Sequence, residues 1–226
     1  MDIYKVKIYD GKEWYNTDDK IKMYKKKYAS FKPGVTVLVG CNGAGKSTLM
    51  WQIKESIKNT KDDSILLLDY NNITDGQRTT MSKNMMMGNM VELATQFQSS
   101  EGENIIINMN NLATKIGYCM HKYKEDPGYN KYVILLDAVD SGLSIDNMAY
   151  LKKFFNAVIK DSPEDKPVYI ILSTNSYEFA RDMPCYDIME GEYITFKDYE
   201  DYREFILKTA KLKDIRYGRI KEDSEG

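Results

Sequence analysis

The chain predicts an α/β fold built on a largely parallel central sheet with helices on both faces. Three observations predict it. Short apolar, β-branched runs recur at 35–39, 64–69, 132–137 and 168–173. Helical stretches separate them, and a glycine-rich loop joins the first run directly to the helix that follows. Near-continuous apolar runs of this length suit strands covered on both faces, and strands alternating with helices give a parallel sheet.

In chain order, residues 3–9 (Ile-Tyr-Lys-Val-Lys-Ile-Tyr) alternate apolar and polar, as a half-buried strand does, and Asp10-Gly11 is a turn signal. Residues 21–31 are expected to pair back on it, giving an antiparallel N-terminal β part. Val35–Val39 is the first buried strand, and Ser47–Lys58 its helix. Ser64–Asp69 is the second buried strand, followed by a polar loop over 70–80. Residues 82–97 read as a methionine-rich helix and 104–120 as another; together, about 78–122, they are expected to stand out as a helical subdomain. The Asp-Pro-Gly turn at 126–128 separates them from the third strand, 132–137. A helix over 145–160, a strand over 168–173, a short helix near 176–181, a strand over 193–196 and a helix over 198–213 complete the series. With no repeat and no low-complexity stretch, the 226 residues are read as one domain with a subdomain.

Composition narrows the class. Hydrophobic residues at 42% and charged residues at 29% are ordinary for a globular protein. No apolar run approaches the ~18 residues a membrane span needs, and the first residues lack the layout of a signal peptide, so a cytoplasmic protein is expected. Cys41, Cys119 and Cys185 are odd in number and lack metal-ligand spacing; with His121 as the one histidine, reduced thiols are expected rather than a zinc site. A net charge of −2 gives no global pull toward nucleic acid. The basic stretches at 20–27, with Tyr24 and Tyr28 interleaved, and at 208–221 read as a solvated strand face and a charged last helix.

The segment Gly40-Cys-Asn-Gly-Ala-Gly-Lys-Ser47 fits G-x-x-x-x-G-K-[ST], with a strand before it and a helix after it. With glycine at about 7% of residues, chance would supply this pattern in roughly one chain of this length per hundred, before that context is required. Glycines let backbone N–H groups turn inward around a phosphate, where a Cβ would obstruct the turn. The helix beginning near Lys46 aims its positive dipole end at the same anion. Lys46 is expected to reach the outer phosphates and Ser47 to ligate Mg2+, with ATP as the nucleotide. An apolar strand ending in an acid places a carboxylate beside that metal. Asp137 is the candidate, and Asp69, which ends the second strand, is its rival.

Three segments together resemble the ATP-binding-cassette class of P-loop ATPase. Gly40–Thr48, with Asn42, Gly43, Ala44, Gly45, Lys46, Ser47 and Thr48, has that class's phosphate-loop flavour. Ser99-Ser-Glu-Gly-Glu103 looks like its signature motif, and Asp137-Ala-Val-Asp-Ser-Gly-Leu-Ser144 resembles its D-E-P-x-S-G-L-D/S segment. The order is the family's, and the resemblance runs from about residue 34 to 176. The S-x-G-E form is closest to recombination-repair and chromosome-maintenance heads. Only about fifty residues separate loop and signature, with no heptads, so the resemblance implies a head without a coiled-coil arm. A plain helix cap, with Ser100 and Glu103 as a capping box, is the alternative for that segment.

The resemblance implies an ATPase head that forms a homodimer on ATP, in which Ser100, Gly102 and Glu103 of one copy cap the triphosphate held by the other. It implies a metal- and water-contacting role for Gln77 and an adenine-stacking aromatic among Trp14, Tyr15 and Tyr28. Two positions depart from the pattern. Ala138 stands where the hydrolytic glutamate belongs, with Asp140 as a displaced substitute, and Asn175 stands where the switch histidine belongs. Asn175 can donate to a γ-phosphate but cannot shuttle a proton. These departures imply slow hydrolysis or binding without turnover, while the S-x-G-E form and the lack of a membrane span make the expected function an ATPase acting on nucleic acid or with a partner protein in a repair or defence complex. The alternatives are a nucleotide-gated interaction module with little hydrolysis and a cassette subunit of a membrane transporter. The N-K-x-D guanine pattern is absent: Asn130-Lys131 is followed by Tyr-Val.

Overall fold

A computed structural model describes residues 4–8, 24–60, 62–71 and 101–216, with the side chains of 101–106 excepted. The predicted helix at 82–97, the loop at 72–80 and the tail beyond 216 lie outside the described residues, as do Trp14, Tyr15, Gln77 and Ser100.

Strands β1 (Tyr4–Lys7) and β2 (Tyr28–Phe31) form an antiparallel ribbon in which Tyr4 faces Phe31 and Lys7 faces Tyr28. Among the described residues the main sheet holds six strands: β3 (Gly34–Val39), β4 (Ile65–Asn71), β5 (Lys131–Asp137), β6 (Val168–Ser173), β7 (Cys185–Asp187) and β8 (Glu192–Ile194). Their spatial order is β4-β5-β6-β3-β7-β8, parallel throughout except that β8 runs antiparallel to β7. This is the mixed α/β architecture with a largely parallel sheet and an antiparallel β part.

The strand order matters for the site. β6 lies between β3 and β5, so the carboxyl ends of the three strands open onto one crevice, where open parallel sheets bind ligands.

The helices are α1 (Lys46–Thr60), α2 (Glu101–Glu125), α3 (Ile145–Lys160), α4 (Tyr177–Ala180) and α5 (Tyr199–Arg216). Alternation along each strand divides the core in two. Val35, Val37 and Val39 of β3, Ile134 and Leu136 of β5, and Ile170 and Leu172 of β6 face α2, α3 and α4. Leu38, Val133, Leu135, Tyr169 and Ile171 face α1 and the β1–β2 ribbon. The helices match with stripes at helical spacing: Leu112, Ile116, Met120 and Tyr123 on α2, and Met148, Leu151, Phe155 and Val158 on α3. Each fully buried side chain of this size contributes roughly 1.5–3 kcal/mol of transfer free energy.

Helix ends follow local chemistry. α2 stops at Glu125 because Pro127 follows, and the turn is closed by the Gly128 N–H on Asp126 Oδ1 at 2.8 Å. The start of α2 falls at Glu101 rather than 104, so Gly102 and Glu103 lie within its first turn. β7 was not anticipated. Three residues behind Met183-Pro184 give too little periodicity to read, and pairing with β3 makes them a strand.

Candidate nucleotide site

The site is assembled where β3, β5 and β6 end. Beyond Val39 the chain turns sharply through Gly40, Gly43 and Gly45, which have φ values of 149°, 75° and 97°. These are conformations that a side chain disfavours. At Gly40 the crowding is also direct: a Cβ there would meet the Ala44 methyl at 3.2 Å and Ile188 Cγ1 at 3.4 Å. The loop closes on itself through the Ala44 N–H and Cys41 carbonyl, at 3.1 Å.

Lys46 opens α1 and is 8% exposed. Its ammonium donates to the carbonyls of Gly40 (2.7 Å) and Cys41 (3.2 Å), so it lies along the loop. Burial pushes its pKa below the ordinary lysine value, opposed by Cys41 and by the Asp140 and Asp137 carboxylates. The ammonium and both carboxylates thus share one electrostatic neighbourhood.

Asp137 ends β5 and is 8% exposed. Among the described residues three neutral groups donate to its carboxylate: Ser47 Oγ to Oδ1 at 3.1 Å, Asn71 Nδ2 to Oδ2 at 3.1 Å, and Ser173 Oγ to Oδ1. Among the described residues no lysine or arginine forms an ion pair with it. Asp69, the rival acid, lies elsewhere. It is paired with Lys54, and the residue level with Asp137 on β4 is Asn71, two positions further on.

Ser173, at the end of β6, also accepts the Ala138 N–H at 2.9 Å, so one hydroxyl joins Asp137 to the turn that follows it. In that turn Ala138 has a left-handed φ of 52° and Gly142 one of 79°. The turn is closed by Ser141 N–H on the Ala138 carbonyl (3.0 Å) and Leu143 N–H on the Asp140 carbonyl (3.1 Å). Asp140 reaches across to the loop that follows β6, where its Oδ2 accepts the Asn175 N–H at 2.9 Å. The structure therefore brings Lys46, Ser47, Asp137, Asp140 and Asn175 to one crevice.

Sequence reasoning missed five contributors. Asn71 and Ser173 donate to Asp137. Tyr24 donates from its hydroxyl to the Gly45 carbonyl at 2.8 Å. Thr209 Oγ1 accepts the Cys41 N–H at 3.2 Å, and the Tyr202 hydroxyl donates to the Asn175 carbonyl at 3.1 Å. Ser173 had a signal, being a hydroxyl at the end of an otherwise apolar strand. Tyr202 and Thr209 had none, because their partners are backbone atoms more than twenty residues away. Of the aromatics proposed for adenine, Tyr28 is described, and it lies 53% exposed on β2.

The donors suit a magnesium–triphosphate. Ser47 and Asp137 offer hard oxygen ligands side by side, and a buried carboxylate whose hydrogen-bond donors among the described residues are neutral favours a cation. The glycine loop and the first turn of α1 offer backbone N–H groups and a positive dipole end.

No family model matches the chain, and no curated protein matches it. Among solved structures, cbiO1 from Clostridium perfringens, part of the ABC transporter complex cbiONQ, aligns over 96% of this chain and 96% of its own. The identity is 18% and the TM-score 0.43. Domain III of the Thermotoga maritima replication initiation protein DnaA aligns over 85% of this chain and 65% of its own, at 10% identity and a TM-score of 0.33. Similarity this distant assigns no activity.

Proposed function

We propose that the chain is an ATP-binding ATPase head of cassette type that works with Mg2+ and closes as a two-fold homodimer on ATP. The observation that carries the nucleotide reading is Ser47 bonded to the buried Asp137 carboxylate, with Lys46 held along a loop of left-handed glycines. In this reading the loop amides and Lys46 hold the phosphates. Ser47 and Asp137, with Gln77, hold the metal. When bound, Mg2+ neutralises charge on the phosphate oxygens. Asn175 faces the terminal phosphate, and Asp140 orients water.

The dimer rests on the sequence of Ser99–Glu103, with Ser100 and Gly102 capping a neighbour's triphosphate at the start of α2. Residues 1–226 then form one ATPase domain, with 78–122 as its helical signature subdomain. The S-x-G-E form favours work on nucleic acid or within a repair or defence complex.

A measurement of molecular mass with and without ATP and Mg2+ tests this reading. The parent should shift from monomer to dimer on nucleotide, and Ser100→Arg should bind nucleotide yet stay monomeric. A parent that binds ATP with no change in mass removes the shared-site scheme.

A second reading, a switch with little or no turnover, is favoured by one arrangement. Ala138 carries no carboxylate, and the Asp140 carboxylate already holds the Asn175 N–H. Phosphate release that survives in the parent and collapses in Asp140→Ala excludes the switch. Absent release that appears in Ala138→Glu supports it.

A further inference from the structure

Helix α5, the last of the described helices, is distinctive in what it buries. Its sequence, YEDYREFILKTAKLKDIR, is charged at half of its 18 positions, and its buried side chains are Tyr202 and Thr209. Both are polar, and both bond to the backbone of the nucleotide site. The Tyr202 hydroxyl donates to the Asn175 carbonyl at 3.1 Å, and Thr209 Oγ1 accepts the Cys41 N–H at 3.2 Å. One turn on, Lys213 Nζ donates to the Asn42 carbonyl at 3.0 Å.

Positions 202, 209 and 213 follow i, i+7, i+11 spacing, so the three contacts lie on one helix face. They cover roughly 16 Å of its length at 1.5 Å per residue. That face meets two different loops. Cys41 and Asn42 belong to the glycine loop that follows β3. Asn175 belongs to the loop that follows β6, and its N–H is held by Asp140 at 2.9 Å. The Tyr202 ring is fixed independently of its hydroxyl, by Tyr177 at 5.5 Å and Phe196 at 5.1 Å between centroids.

We propose that α5 is a positioning strap for the nucleotide site, with a division of labour along its length. Tyr202 sets the preference for triphosphate over diphosphate by holding Asn175 and Asp140 in place. Thr209 and Lys213 set the affinity for both nucleotides by holding the glycine loop. This deepens the nucleotide reading above and rests on it. In that reading Asn175 faces the terminal phosphate, which a diphosphate lacks, whereas the glycine loop grips phosphates that both nucleotides carry.

The test is a titration of the full chain with Mg2+ plus ADP and with Mg2+ plus a non-hydrolysable ATP analogue, so no turnover is required. In Tyr202→Phe the ring stays and the hydroxyl goes. ADP should bind as in the parent, and the analogue should weaken about three- to tenfold, the worth of one hydrogen bond. In Thr209→Val, a near-isosteric change that removes the acceptor, both nucleotides should weaken by similar factors and their ratio should hold. Thr209→Ser should bind as the parent does. Should Thr209→Val fail to fold, Lys213→Met, from the partly exposed end of the helix, carries the same expectation. Parent-like binding by Tyr202→Phe and Thr209→Val, or equal weakening of both nucleotides in Tyr202→Phe, overturns the strap and leaves the nucleotide site standing. A parent that binds neither nucleotide removes the site reading and the strap with it.

Discussion

Replacing Ser173 with alanine attacks the joint on which the acidic side of the crevice depends. The Ser173 hydroxyl is buried between Asp137 Oδ1, to which it donates, and the Ala138 N–H, which it accepts at 2.9 Å. Ser173→Ala leaves the Ala138 amide without this acceptor, at a cost of about 1–3 kcal/mol for a buried unpaired group. It also removes one of three donors to the Asp137 carboxylate, a charge-assisted bond of about 1.5–3 kcal/mol. The two losses share one atom and do not add, so the expected destabilisation is about 2–3 kcal/mol. For a chain of this size that corresponds to a fall in Tm of roughly 5–10 °C. Urea unfolding with an unchanged slope measures it directly. Ser162→Ala serves as the control, because that hydroxyl donates to the Ile159 carbonyl within a turn, and it should cost under about 1 kcal/mol. Equal midpoints for parent and Ser173→Ala would refute the view that this hydroxyl holds Asp137 and its turn together.

Three further outcomes follow from other parts of the structure. Tyr24→Phe removes the hydroxyl that donates to the Gly45 carbonyl at 2.8 Å; it should cost about 1 kcal/mol in stability and weaken nucleotide binding several-fold by titration. Burial pushes the Asp187 pKa above the usual carboxylate value, against the two backbone N–H groups of Met189 and Glu190, so the ionised form is disfavoured in the fold. Stability from this group is present in acid and lost as pH rises through the folded pKa. Asp187→Asn should therefore stabilise at pH 7.5 and lose that advantage by pH 4, read from urea midpoints. Burial raises the Cys185 thiol to about 12, and Cys41 is also buried, while Cys119 is half-exposed. A maleimide should label Cys119 first in the native protein, and equal rates at all three would contradict the described packing.

Much of the fold was legible because the signals were local. The strands at 35–39, 132–137 and 168–173 announce themselves as apolar runs and are buried, whereas 64–69, expected to be buried too, is half-buried because β4 ends the described sheet. The helix over 145–160 is legible from the Asp161-Ser-Pro163 stop. β7 was not legible, since three residues acquire strand geometry only from their pairing with β3. The glycine loop was legible as a spacing. The preference for Asp137 over Asp69 comes from the segment that follows Asp137, and the register sets Asn71, not Asp69, level with Asp137. The buttress of α5 was hidden for a related reason. Its sequence reads as a charged helix, and its contacts are hydroxyls meeting backbone atoms of distant loops, which no residue pattern records. Gln77 and Ser100 lie outside the described residues, and Gly102 and Glu103 are described only as backbone in the first turn of α2.

Calorimetric titration of ATP into the full chain, with Mg2+ and then with the metal chelated, tests the central claim most directly. Saturable one-to-one binding that tightens with Mg2+, is lost in Lys46→Ala and loses its metal dependence in Asp137→Asn is the expected result. Equal ATP binding by the parent and Lys46→Ala, or none by the parent, would contradict it.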